Sequence, residues 1–435
     1  MSVPRRVAMV SEHANPLALL GSEDAGGQNV YVYEVSLGLA RLGYQVDVFC
    51  RRDHLEVPQV VPLGPGVRVV HVDAGPPAFV RKDDLWALMP AFARGSCRFV
   101  EREEKPYDLL HSNFWMSGWV ACEIKARLGI PVVHIFHALG AIKRLEQGSA
   151  DTSPRGRARV ERRVMREVDR LIAQCPAEAE DLKRYYGHDL RNVVIVPSGV
   201  NTRRFRPVSR RSARERLGLP PDELIVGYVG RLVQRKGIDT LLEAVARVSA
   251  QHTDLPLRVM VVGGEQRDPN GDSNAELSRL RALAGDLGIG DRVWFTGKRQ
   301  PDELAEYYGA ADIMVSVPWY EPFGLTPLEA QACGRAFIGS TVGGITYTVA
   351  HGESGWLVPP RDPESLSQAL VTLLRDSRLR RSLARGGRRR AVREFTWARV
   401  AERTADVYES LLQSCDEGGE TGTRMSVGRH EGSPP

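Results

Sequence analysis

The chain has 435 residues, about three times the ~150-residue unit of a single domain, so two or three domains are expected. It is 42% hydrophobic, 26% charged and 7% aromatic, which excludes collagen, a coiled-coil rod and a wholly disordered chain. Fifty-nine basic against 54 acidic residues leave a net charge of +5, too small an excess for a dedicated nucleic-acid binder. The six cysteines (Cys50, Cys97, Cys122, Cys175, Cys333 and Cys415) lie far apart and without metal-ligand spacing, so reduced thiols in a cytoplasmic protein are expected. No stretch approaches the roughly 18 apolar residues of a membrane span, and the apolar run after Arg6 is too short for a signal peptide.

In chain order, the apolar run RVAMV (6–10) reads as a strand ending in a polar, Gly-rich loop. A helix follows with Val32, Val35, Leu39 and Leu42 at helical spacing, and Gly43 stops it. The strand YQVDVFC completes a βαβ unit, which implies a parallel sheet with helices on its faces. Further strands are expected at 67–72, 108–113, 131–137, 170–175 and 192–199. At Asn201 the pattern breaks into a basic, Pro-containing stretch and restarts with LIVGYVGRL (224–232). Regular strand and helix alternation then indicates a second doubly wound domain, so the fold class is α/β with two Rossmann-like domains. Residues 395–413 read as a final amphipathic helix. The expected units are 1–204, 205–392, a terminal helix over 393–415 and a disordered tail over 416–435.

Seven arginines crowd residues 155–170 and nine crowd 375–393. They read as solvated helix faces, with weak contact to an anionic membrane as the alternative. No aromatic platform accompanies them, so no nucleic-acid partner is expected.

In open α/β sheets, ligands sit beyond the carboxyl ends of the strands. There the second half carries Gly230 and Arg231, then Lys236 and Gly237 at the next helix start. Two cations beside a helix N-terminus suit a diphosphate, although an ordinary basic surface turn has the same composition. The segment lacks the GxGxxG spacing of a dinucleotide fold. A later loop, WYEPFGLTPLEAQACG, sets Glu321 on a strand-end loop and Glu329 inside the following helix. Two glutamates at that spacing are common and carry little alone.

Together, however, EPFGLTPLEAQACG resembles the Glu-x7-Glu signature of retaining glycosyltransferase family 4, and GRLVQRKG resembles that family's phosphate loop. The front segment with Gly26 and Gly27 is similar to its Gly-Gly loop. The likeness runs from about residue 6 to 410. It is strongest toward the branch holding the mycothiol-pathway inositol-phosphate N-acetylglucosaminyltransferase, with sucrose-phosphate synthase further off. The resemblance implies two Rossmann-like domains facing across a cleft (the GT-B type), with the last helix crossing back to the N-terminal domain. It assigns Arg231 and Lys236 to the donor diphosphate, Glu329 to its ribose and Glu321 to the transferred sugar. Phe323, Gly324 and Leu325 would offer backbone amides, Gly26 and Gly27 a close backbone approach, and His137 a contact at the donor sugar. Taken alone, a histidine at a strand end is more often structural. Asn29 and Lys82 match acceptor-binding positions, whereas Phe114 and Ala138 replace a tyrosine and a threonine there. A different cyclitol, a sugar or a lipid-linked hydroxyl is therefore expected in place of inositol phosphate. The implied reaction moves a hexosyl group from a nucleotide-diphosphate sugar, of UDP type, with retained configuration. It needs no cofactor, no essential metal and no protein nucleophile. Two alternatives stay open: a membrane-peripheral enzyme glycosylating a lipid, and a non-catalytic nucleotide-sugar-binding protein. The oligomeric state is not legible.

Overall fold

The structure, a computed structural model, describes residues 5–20, 26–148, 151–271 and 274–422. Its first sheet contains β1 (Arg6–Val10), β2 (Gln45–Arg51), β3 (Val60–Gly64), β4 (Val67–Val72), β5 (Leu109–Asn113), β6 (Val132–Ile135), β7 (Arg170–Ala173) and β8 (Val193–Ile195). Their spatial order is β3-β4-β2-β1-β5-β6-β7-β8. Every pair is parallel except β3 with β4. The second sheet contains β9 (Leu224–Val229), β10 (Leu257–Val262), β11 (Val293–Gly297), β12 (Ile313–Ser316), β13 (Ala336–Ser340) and β14 (Trp356–Val358). It is wholly parallel, in the order β11-β10-β9-β12-β13-β14.

The apolar runs follow from burial on both faces. Alternate residues of β1 serve two cores: Ala8 and Val10 pack with Phe92 and Val120, whereas Val7 and Met9 pack with Val35 and Tyr408. Strand β9 is divided in the same way, with Val226 and Tyr228 on one face and Ile225 and Val229 on the other. Each sheet reverses its winding once, between β1 and β5 in the first and between β9 and β12 in the second. A crevice opens at the carboxyl end of each reversal, and these two crevices form the cleft.

The lobes are joined twice, and the joins lie side by side. The Val200 N–H donates to the Phe395 carbonyl at 2.7 Å, and Val200 bridges Thr396. Beyond this point the helix Trp397–Gly422 lies on the helix Gly27–Arg41 of the first lobe. The two approach so closely at Gly38 that a Cβ there would lie 2.6 Å from that of Ala401.

The two-domain organisation agrees with the sequence reading, with two differences. The antiparallel edge strand β3 was not expected, because VVPLG is short and carries a proline. The final helix continues to Gly422, so the stretch 416–422 is helical and not a disordered tail; residues 423–435 lie outside the described residues. The arginine runs are less free than expected. Arg380 and Arg388 donate to backbone carbonyls of Leu373, Leu374 and Ala332, and Arg390 to those of Tyr347 and Thr348. Arg157 and Arg163 are ion-paired with Glu161 and Glu167. No helix among the described residues is long and apolar enough to cross a membrane.

Candidate functional site

The cleft encloses a cavity of about 700 Å³ with walls from both lobes. Of the residues singled out in the sequence, Gly26, Gly27, Asn29, Lys82, His137, Arg231, Lys236, Glu321, Phe323, Gly324 and Leu325 all line it. The lobes meet at its back, where a Cβ on Gly27 would touch Leu325 Cδ1 at 3.5 Å.

The second lobe supplies charge. Arg231 follows β9, and its guanidinium is exposed with no side-chain partner among the described residues. Lys236 comes one turn later and is ion-paired through Nζ with Glu321, which enters from the loop after β12. Gly237 is left-handed (φ 68°) and packs against the exit of β12 so tightly that a Cβ would collide with the Val317 carbonyl. That contact fixes the cation-bearing turn beside the Glu321 loop. Gly324 (φ 82°) then starts the helix Leu325–Ala332, whose N-terminus opens on the cavity.

The first lobe supplies polar groups. His137 follows β6 with φ 60°, a left-handed conformation that costs a non-glycine residue of order 1–3 kcal/mol and collects at functional sites. Its Nε2 lies 3.0 Å from Asn113 Oδ1, and its ring is 4.9 Å from that of Tyr31. Burial, reinforced by His111, His134, His13 and Lys82, holds its pKa well below the usual range. The ring is therefore neutral, with Nε2–H donating to Asn113 and Nδ1 left as an acceptor. Lys82 Nζ lies 3.9 Å from the centroid of the Phe114 ring, and crowding by the cleft walls pushes its ammonium down to about 8. Asn29 is occupied within its own loop: Oδ1 accepts from the Gly26 N–H at 3.1 Å, and Nδ2 donates to the Asn15 carbonyl at 3.0 Å.

Glu329 stands apart. It is one turn inside the helix Leu325–Ala332 and does not line the cavity. Its carboxylate accepts from the Tyr308 hydroxyl at 2.6 Å, and burial pushes its pKa up against that bond. The sequence reading also passed over Glu12, His13, Arg51, Phe79 and Ser198, which line the same cavity. For Glu12 and His13 the available signal was their place immediately beyond the central strand β1. No cluster of three or more His, Cys, Asp or Glu suited to a metal occurs among the described residues.

Two family descriptions match this chain one after the other: "Glycosyltransferase Family 4" over residues 25–204 and "Glycosyl transferases group 1" over 209–390. A D-inositol 3-phosphate glycosyltransferase of Streptomyces bingchenggensis is 40% identical over 94% of this chain and 90% of its own length. One of Catenulispora acidiphila is 41% identical over 95% of this chain and 96% of its own length. Among solved structures, sucrose-phosphate synthase from Thermosynechococcus elongatus superposes with a TM-score of 0.82 at 35% identity. That alignment covers 94% of this chain and 100% of the other. Anabaena HepE, solved with UDP-glucose, shares the fold (TM-score 0.70, 18% identity, 93% and 99% covered). With two family descriptions matched in succession and relatives 40–41% identical over 94–95% of it, the chain belongs to glycosyltransferase family 4.

Proposed function

We propose that the enzyme transfers a hexosyl group from a UDP-sugar to a hydroxyl of a small cyclitol or sugar, with retained anomeric configuration. The observation that carries this reading is the division of one cavity. Arg231, unpaired among the described residues, and the Lys236–Glu321 pair stand on one wall, opposite neutral His137 and Lys82 on the other. A diphosphate entering at Arg231 would meet two cations and a helix N-terminus, which stabilise the charge that builds as the sugar departs. Lys236 then exchanges Glu321 for phosphate, and Glu321 is freed to accept from a hydroxyl of the transferred sugar. His137 Nδ1 is an acceptor for another sugar hydroxyl. The departing phosphate oxygen takes the proton of the attacking hydroxyl, so no protein nucleophile and no metal ion enter the step. HepE with UDP-glucose supports the donor class, and the inositol-named relatives support a cyclitol.

A phosphate on the acceptor would find Lys82 available, but Arg157, near the Phe114 ring, is already taken by Glu161 and the Ala138 carbonyl. Assays with UDP-glucose and UDP-N-acetylglucosamine against myo-inositol and D-inositol 3-phosphate test the reading. The expected result is an α-linked product in the anomeric NMR signal, formed equally well in EDTA. A β-linkage overturns retention, and loss of turnover in EDTA overturns the metal-free step.

A further inference from the structure

The linker that leaves the first lobe carries a charge cluster that the cleft does not use. Beside it lies a groove of about 660 Å³, walled by the linker from Asn201 to Val208, the helix Arg210–Leu217 and the helix Leu304–Ala310. Among the described residues, none that lines this groove also lines the cleft. Four arginines, Arg203, Arg204, Arg206 and Arg216, surround it against two carboxylates, Asp302 and Glu306. Arg204 Nε lies 2.7 Å from Asp302 Oδ1, and Arg216 Nε lies 2.9 Å from Glu306 Oε1. Each of these four side chains is more than a third exposed, so both pairs are held loosely. Arg203 and Arg206 have no side-chain partner among the described residues.

The turn that presents the arginines is fixed. Asn201 Oδ1 accepts from the Arg203 and Arg204 N–H groups at 3.1 Å, and the Asn201 carbonyl accepts from the Phe205 N–H at 2.8 Å. Phe205 is buried, with its ring 5.9 Å from that of Tyr308. Asn201 Nδ2 donates to Glu34 Oε1 at 3.1 Å, which ties the same turn to the helix Gly27–Arg41 of the first lobe. Guanidinium groups crowded on a fixed turn repel one another, a cost that a bound anion removes. Their forked donors match phosphate oxygens, and a recess with charge on its walls suits a small ligand better than a flat lipid surface. We propose that this groove is a second anion site, separate from the cleft, that takes a small ligand bearing several phosphate charges. The site stands whether or not the cleft transfers a sugar.

The test is calorimetry on the full chain with UDP in excess to fill the cleft, in about 0.15 M salt, where exposed charges are screened beyond roughly 8 Å. Inorganic tripolyphosphate should bind saturably. The double variant Arg203→Ala/Arg206→Ala should weaken it about tenfold or more, the scale of losing two charge-assisted contacts, with UDP affinity within about twofold. Asp302→Asn, which releases Arg204, should tighten it about threefold, an effect that a damaged fold does not produce. ATP run in parallel distinguishes a bare phosphate chain from one carried on a nucleoside, and tighter binding of either supports the site. No saturable binding of either, binding that the double variant keeps unchanged, an Asp302→Asn protein that binds no tighter, or a preference for phosphatidylglycerol vesicles over both overturns the proposal. If UDP itself fails to bind, tripolyphosphate binding that depends on Arg203 and Arg206 still supports the groove, and only the donor reading of the cleft falls.

Discussion

In the first lobe, the crevice between β1 and β5 is made of groups that already satisfy one another: Glu12 with His13 and Ser117, His137 with Asn113, and Asn29 with the Gly26 amide. In the second, among the described residues, the crevice between β9 and β12 leaves Arg231 without a side-chain partner and gives Lys236 a single one, Glu321. Both crevices sit at a single reversal of a parallel sheet, and their chemistry is opposite. A lobe whose hydrogen bonds are spent on orientation holds neutral hydroxyls in fixed directions at little reorganisation. A lobe that keeps its cations lightly committed can give them to a multiply charged ligand.

The most severe way to break this contrast is to remove a cation. Arg231→Ala or Lys236→Ala should lower turnover by ~10²–10³, the scale of losing one preorganised charge-stabilising donor. Nucleoside diphosphate affinity should fall in parallel by calorimetry. Near-wild-type turnover in both folded variants would mean that the second lobe's charge is not the clamp.

The cavity lining was legible in the sequence on the charged wall and, for Gly26, Gly27, Asn29, Lys82 and His137, on the opposite wall, whereas Glu12 and His13 were hidden. Arg231, Lys236 and Glu321 stand in local motifs whose meaning depends only on nearby spacing and on the end of a strand. Glu12 also stands beyond a strand but in no motif of meaningful spacing: SEHANP reads as a polar surface loop. Its burial comes from Ser117, more than a hundred residues away, once β1 and β5 are neighbours. The same reason hides the partner of Glu329, since Tyr308 reaches it from another helix. Alternating strands and helices were readable because buried parallel strands are apolar on both faces, whereas the edge strand β3 has only intermediate and exposed positions.

A ligand that engages one lobe should be felt by the other, because Gly27 already abuts Leu325. UDP is expected to slow amide exchange around Gly26–Asn29 as well as around 231–237, and to make the protein more compact in small-angle scattering. Protection confined to residues beyond Asn201 would show that the lobes bind independently.

The smallest expected effect sharpens the contrast at the lobe junction. Glu178 and Asp181 of the first lobe face Tyr320 and Pro322 of the second. Burial pushes Glu178 up to about 7 and Asp181 up to about 6. Glu178 thus binds a proton more tightly in the folded chain than in the unfolded one, where it titrates near its ordinary 4.5. Stability contributed by this group is present below pH 4.5 and is lost as pH rises toward 7. Glu178→Gln keeps an oxygen for the Gln174 N–H, which the carboxylate now accepts at 2.7 Å, and carries no charge. Its Tm should exceed wild type at pH 8 and approach it at pH 5. An equal offset at both pH values would assign the effect to packing.

The return of the terminal helix to the first lobe means that the gene cannot be cut in half at the first linker. A fragment ending at residue 204 would lose Trp397, Val400, Tyr408 and Leu411, and with them the cover over Tyr31, Val35 and Leu39. That bare stripe lies on the helix that carries Gly27, so the fragment should precipitate or recruit chaperones. A separate peptide spanning 393–422, co-expressed with it, has the sequence needed to re-cover the stripe. The terminal helix thus completes a core of the first lobe, although the whole second lobe lies between them in the chain.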